Sequence, residues 1–270
     1  MANIESALFD LGYLDTLAAK DTIIHRLDPR VKVLTAALFA LCVVSFDKYV
    51  IAAMLPFALF LTLIMGLGGI PAHFVLKKLI LVSPFALLLG MCNPFLDQQT
   101  HLYLGPIPVS GGWLSFLSIL LRFCLTVGAM LTLIATTGFN GVCMALEKMG
   151  MPKIFAVQLL LLYRYIFVLM AEGQRMYRAR ALRSFQGRGA EMKNFGHLIG
   201  GLLLRTLDRA QRIHLAMLCR GFDGTIHTRR APRVTARDIL LFALSGFILI
   251  GMRRYDCSLL LGQLLTGLVQ

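Results

Sequence analysis

Charge is scarce in this chain: only 15% of its 270 residues are Asp, Glu, Lys or Arg, while 57% are hydrophobic. A water-soluble domain of this length needs a far more polar skin, so the deficit excludes an ordinary soluble globule and makes lipid the main solvent. Acids are scarcer still, 14 against 27 Lys and Arg. No pair of acids lies within an apolar run, and there is no HExxH, GxSxG or Walker A pattern. That excludes the familiar metallopeptidase and hydrolase sets and ATP hydrolysis by the chain itself. The six cysteines (Cys42, Cys92, Cys124, Cys143, Cys219, Cys257) stand singly, with no CxxC, and read as small apolar residues of membrane helices. The six histidines (His25, His73, His101, His197, His214, His227) show no ligand spacing. No metal site and no bound cofactor are therefore expected. Nor is a secretory signal, since Glu5, Asp10 and Asp15 stand where a basic leader would be.

What is present is positive charge, concentrated in one place. Between Arg164 and Arg237 lie fifteen Lys and Arg against four Asp and Glu, which leaves +11 of the net +13 in that block. By the positive-inside rule the block belongs on the cytoplasmic side. The apolar runs are Val33 to Phe46, Tyr49 to Leu67, Leu76 to Cys92, Trp113 to about Thr137, and Ile239 to Met252. Residues 1–26 read as a surface segment, and 93–112, with three prolines and three glycines, as a loop. In "RLDPRVK" (26–32), Asp28 and Pro29 suit a helix start, and Arg30 and Lys32 are expected to snorkel from the foot of the first run. Arg122 is the one charge deep in a span; it is expected to face the bundle and bond to carbonyls or hydroxyls.

The basic block reads as two long helices, one from Lys153 through "RMYRARALRS" and one over about Phe195 to Cys219. On the second, Leu203, Leu207, Ala210, His214 and Met217 share a face within about 80°. Arg205, Arg209, Arg212 and Arg220 share the opposite one, with Ala216 among them. Asp208 is spaced to pair with Arg212. Gly221 is placed to end the helix in the left-handed conformation, which puts Arg220 at the tip beside unpaired carbonyls. The first helix ends in a similar way, with Arg183 before Ser184; "GRG" at 187–189 is a competing position. A basic amphipathic helix can lie on anionic lipid as well as enter a protein groove, and geometry alone leaves both open. Nucleic acid is not expected as a partner, because no fold for reading bases is recognisable.

"RLDPRVK" followed by two arginine/small-residue helix ends, the second within "AMLCRGFDG", resembles the T component of energy-coupling factor transporters, in its cobalt-type, CbiQ-like branch. The likeness covers roughly residues 20 to 255. It implies an all-α integral membrane protein with about five to six transmembrane helices and a cytoplasmic coupling domain of long amphipathic helices. The domains expected are a surface segment (1–30), transmembrane helices (31–150), coupling helices (151–237) and a C-terminal transmembrane segment (238–270). In that family two Ala-Arg-Gly motifs enter grooves of paired ABC ATPases. By position they fall on Leu182, Arg183 and Ser184 and on Cys219, Arg220 and Gly221, each keeping the arginine while departing from Ala-Arg-Gly. The resemblance further implies a non-catalytic subunit of the bacterial or archaeal cytoplasmic membrane. ATP and magnesium would sit on the partner ATPases, and a CbiM-like substrate-binding membrane subunit would hold the ion. Cobalt(II) is the substrate of that branch, with nickel or a vitamin as alternatives. A stand-alone channel or secondary transporter would call for more polar residues in the spans.

Overall fold

A computed structural model describes residues 12–47, 51–96, 100–104, 107–183, 192–224 and 234–254. Their regular structure is helical apart from one hairpin. A short helix α1 (12–18) precedes α2 (Pro29–Val44). A 3-10 turn (Ala52–Met54) leads into α3 (Leu55–Leu67), and α4 (Ala72–Gly90) and the single turn α5 (Asn93–Leu96) follow. Strands β1 (Thr100–Leu104) and β2 (Ile107–Ser110) pair antiparallel. Then come α6 (Gly111–Lys148), α7 (Lys153–Arg183), α8 (Met192–Cys219) and α9 (Ala236–Arg254). The chain divides into two compact units, one of Met1–Ala145 with Pro232–Gln270 and one of Leu146–Ala231.

The first unit is an apolar bundle. Helix α2 starts where the sequence indicates: Asp28 is its N-cap, accepting the Arg30 amide at 2.9 Å, and Pro29 occupies the first turn, where no amide partner is needed. Helices α2 and α9 run parallel. Near their starts the Asp238 carboxylate accepts the Asp28 amide at 3.4 Å; near their ends Arg253 Nη2 donates to the Ser45 carbonyl at 2.9 Å. Helix α6 runs the other way, because Arg122 reaches the end of α2 while Thr136 lies beside Lys32 at its start. Helix α3 follows α6, with Leu61 against Gly128 and Gly68 against Thr136. Phe39, Val43, Phe46, Met54, Phe57, Leu125, Ala129 and Leu249 form the core, and Phe57 meets Phe39 and Phe46 edge-on at 5.7 and 5.4 Å. The outward faces are apolar too: Leu81, Leu88 and Phe247 are exposed, as suits a surface solvated by acyl chains.

The chain is an all-α membrane protein. Helices α4 and α6 and the stretch Lys153–Leu182 are long and apolar enough to cross a bilayer. Helix α2 has 16 residues and α3 has 13, short of the roughly 20 that a perpendicular span needs.

Several expectations need correction. The described part of the run 49–67 is helical over Ala52–Leu67, with a 3-10 first turn ahead of Pro56, and is shorter than the run itself. The described residues of 93–112, expected as loop, form the turn α5, the hairpin and the start of α6. The described part of the N-terminal segment packs into the bundle: Leu17 is buried, Tyr13 stacks on Phe74 at 5.0 Å, and Lys20 donates to the Gly69 carbonyl at 2.8 Å. Helix α6 runs past Thr137 to Lys148 but breaks at Gly138 (φ 70°, ψ 156°), a conformation that glycine adopts without strain. Lys32 does not snorkel outward. It is buried, and its ammonium donates to the carbonyls of His25 at 3.1 Å and Thr136 at 3.0 Å. Residues 255–270 lie outside the described residues.

Arg122 does what the sequence suggests. One nitrogen, Nη2, donates to the carbonyls of Phe46 and Asp47, both at 2.7 Å, closing the end of α2. Arg253 shares that end and lies over the Phe46 ring, 4.4 Å from its centroid. Arg122→Leu leaves both carbonyls without this donor. The expected loss is about 1.5–3 kcal/mol, read as a lower thermal midpoint in detergent, and an unchanged midpoint would show that the bonds contribute nothing.

Candidate coupling site

The second unit is built on α7 and α8, packed antiparallel. A methyl placed at Gly201 would lie 3.4 Å from Met176, and one at Gly173 would lie 3.7 Å from Leu202, so these glycines mark where the helices approach. Beside them Arg205 Nη1 donates to Glu172 Oε1 at 2.9 Å, and Arg175 stands 3.6 Å from the same carboxylate. Glu172 is the more sheltered member of this group. Its only signal in the sequence is that it is one of four acids in a strongly basic block.

This pairing turns α8 differently from the simplest reading of its two faces. Gly201 and Leu202 meet α7, and Thr206, Ile213 and Met217 are also half-buried, so the stripe between the two faces is the sheltered one, while Leu203, Leu207, Ala210 and His214 remain exposed. Arg209, Arg212 and Ala216 are exposed as well. Arg212 donates Nε to the Asp208 backbone carbonyl at 3.3 Å, in place of the expected ion pair with the Asp208 carboxylate.

The end of α8 forms as the sequence dictates. The Phe222 amide donates to the Met217 carbonyl and the Gly221 amide to the Leu218 carbonyl, both at 3.0 Å, and Gly221 has φ 77°. These two bonds define a Schellman ending, which satisfies carbonyls that the helix leaves unpaired. Arg220 therefore occupies the cap; its amide donates to the Met217 carbonyl at 3.0 Å, while its exposed guanidinium bonds to no described residue. Cys219 beside it is exposed and free. At the end of α7, Leu182 is 86% exposed and Arg183 is the last helical residue. Ser184 and the 187–189 alternative lie outside the described residues.

The N-terminal motif belongs to the first unit. Asp28, Pro29 and Arg30 start α2, and four residues on from Asp28 the Lys32 ammonium lies within electrostatic reach of the Asp28 and Asp238 carboxylates. His25 completes this corner: Nε2 donates to the Leu17 carbonyl at 3.0 Å, so Nδ1 accepts from the Thr22 hydroxyl at 2.7 Å. Burial, then the charge of Lys32, holds His25 below its ordinary value of 6.5.

A cavity of about 330 Å³ runs between α2, α3, α6 and α9. Its hydroxyls are already spent on their own helices: Thr35 on Val31, Thr132 on Gly128, Thr136 on Thr132 and Ser245 on Phe242. What remains toward the cavity is mostly hydrocarbon, a poor surface for a hydrated cation. Among the described residues no cluster of three or more His, Cys, Asp and Glu side chains could hold a metal.

An apolar bundle and a basic pair of long helices, one of them apolar enough to cross a bilayer, define an integral membrane protein. The family model described as "CbiQ: Cobalt transport protein" matches residues 20–231, and the chain belongs to that family. It is 24% identical over 247 residues to an energy-coupling factor transporter transmembrane protein, EcfT, of Thermosediminibacter oceani, covering 86% of this chain and 92% of that one. It is 29% identical over 142 residues to an uncharacterized protein of Methanocaldococcus jannaschii, covering 52% of this chain but only 49% of that protein's length. A putative fused cobalt transport protein, CbiMQ, of Methanocorpusculum labreanum is 29% identical over 118 residues, 43% of this chain and 19% of that one.

Two outcomes follow from this geometry. A side chain at Gly221 would meet open space, so Gly221→Ala strains only the backbone, by about 1 kcal/mol; hydrogen exchange should quicken at the Gly221 and Phe222 amides and not in mid-α8. For His25, the unfolded chain takes up its proton first. Folded stability is whole above the ordinary value and falls as pH drops below it. The midpoint of the wild type should therefore fall relative to His25→Gln between about pH 7 and about pH 5; a constant gap would refute this.

Proposed function

We propose that this chain is the transmembrane coupling subunit of an energy-coupling factor importer. It passes ATP-driven motion from a pair of ABC ATPases to a substrate-binding membrane subunit, and the ion carried is cobalt(II). The chain is not itself a catalyst: ATP and magnesium bind the ATPases, and the cation binds the partner in the membrane. The observation that carries this reading is the Arg220 tip. An exposed guanidinium with no described partner stands on a rigid helix end, followed by a residue with no side chain. Arginine can bond a carboxylate in two places or several carbonyls at once, so such a tip grips a protein groove in a fixed orientation. Lipid attraction gives no such registry. The family and the EcfT relatives support the ATPase partners, and the fused CbiMQ relative supports a CbiM-like partner. Cobalt rests on the family's description.

The exposed residues on α8 that support this tip are Arg209, Arg212 and Ala216, while Arg205 is engaged with Glu172. The second tip is Arg183, flanked by Leu182 and Ser184. The basic block is cytoplasmic, in a bacterial or archaeal cytoplasmic membrane crossed several times. Arg30, Lys32 and Lys77 belong to the end of the bundle where α2 and α4 start and α6 breaks, the end that the positive-inside rule assigns to the cytoplasm.

Arg220→Glu and Arg183→Glu test the assignment in a cell expressing all subunits. Losing a buried charged contact at an interface costs about 2–5 kcal/mol. Recovery of the ATPases with the tagged chain should drop sharply, or cobalt uptake should fall while ATP hydrolysis continues. Wild-type recovery and uptake in both variants would overturn the assignment.

A further inference from the structure

The outward passage follows the break at Gly138, and the return passage ends at the start of α9 by Asp238; these two points lie at one corner of the first unit. The break matters for hydrogen bonding. In an unbroken helix the Thr136 carbonyl would accept the amide of residue 140, and a glycine at φ 70° between them removes that partner. Lys32 supplies the replacement at 3.0 Å and holds the His25 carbonyl at 3.1 Å with the same nitrogen. The carboxylates of Asp28 and Asp238 act on its charge from nearby, offsetting part of the cost of its burial. Asp238 in turn accepts the Thr235 amide at 2.8 Å and the Asp28 amide at 3.4 Å, tying the return passage to the first turn of α2.

Resting on the coupling function proposed above, we infer that Lys32 is a positioning residue for transport: it pins the outward passage to the start of α2, where Asp238 holds the return passage, so that displacement of the second unit is delivered to the membrane helices. Lys32 touches neither substrate nor nucleotide. A residue needed only for folding would lower the amount of complex. A pin would instead lower the transport obtained per ATP in complex that assembles normally.

The test uses the complete complex, with its ATPases and substrate-binding subunit, in proteoliposomes. Recovery of the complex, ATP hydrolysis and cobalt uptake are measured together for wild type, Lys32→Met and Lys32→Arg. Met keeps the length and removes the donor; Arg keeps a cation that can reach carbonyls. Lys32→Met should be recovered at the wild-type level and hydrolyse ATP, with uptake per ATP lowered about tenfold, and Lys32→Arg should restore much of it. Lys32→Gln, which retains a neutral donor, replaces Lys32→Met if the latter yields no complex, under the same criterion. Unchanged uptake per ATP overturns the inference, as does a loss of uptake that only follows the loss of complex, or failure of both neutral variants to assemble. A wild-type chain that recovers no ATPase overturns the coupling function itself, and this inference with it.

Discussion

A backbone carbonyl inside a membrane bundle has no water to turn to, and a helix that ends or breaks there leaves several such groups unpaired. The bundle meets this constraint with cations. Lys32 serves the broken ladder of α6 and the chain before α2, Arg122 serves Phe46 and Asp47, and Arg253 serves Ser45. Lys32 reaches from α2 to a carbonyl of α6, while Arg122 of α6 and Arg253 of α9 reach carbonyls just past the end of α2. The bonds that close a helix end are therefore also the bonds that fix how the helices stand against one another. The aromatic core of Phe39, Phe46 and Phe57 fills the space so defined but is non-directional, and alone it would tolerate a sliding of α2 along α9.

This use of charge separates the two units. In the first, Lys32 is turned inward onto two carbonyls, and Arg122 and Arg253 cover the carbonyls just past α2. In the second they outnumber acids, and Arg209, Arg212 and Arg220 face outward along one exposed helix. Glu172 is placed where α7 and α8 approach, holding Arg205 against them. The same residue type thus does two jobs: it finishes the interior of one unit and provides a surface on the other.

Much of this was legible in the sequence, because it depends on local rules. Asp28 and Pro29 mark a helix start, Gly221 marks a helix end, and hydropathy marks the apolar runs. All of these act within a few residues and the structure obeys them. The carbonyl-binding role of Arg122 could be read from the cost of a lone charge among apolar neighbours, although not which carbonyls it would reach. What could not be read depends on partners distant in the chain. Lys32 looked like an interfacial lysine because nothing nearby shows that Thr136 lacks a helical partner. The signal was Gly138, a glycine in the midst of a long apolar pattern. The rotation of α8 was missed because hydrophobic periodicity finds two faces without saying where a neighbouring helix packs; Gly201 and Leu202, which meet α7, lie between them. The tip of α7 and its register stay a matter of sequence resemblance, since Ser184 is outside the described residues.

The parallel alignment of α2 and α9 has a consequence for how the protein is made. Arg253 follows the Ser45 carbonyl that it satisfies by 208 residues, and Asp238 follows the Asp28 amide by 210. Helix α2 is thus bonded near both ends by a helix made much later, after the whole basic block has been synthesised between them. Contacts so distant in sequence are slow to form. Until they do, α2 waits half-completed in the bilayer, and a nascent chain stopped before Arg253 carries its own defect at the exposed end of that helix.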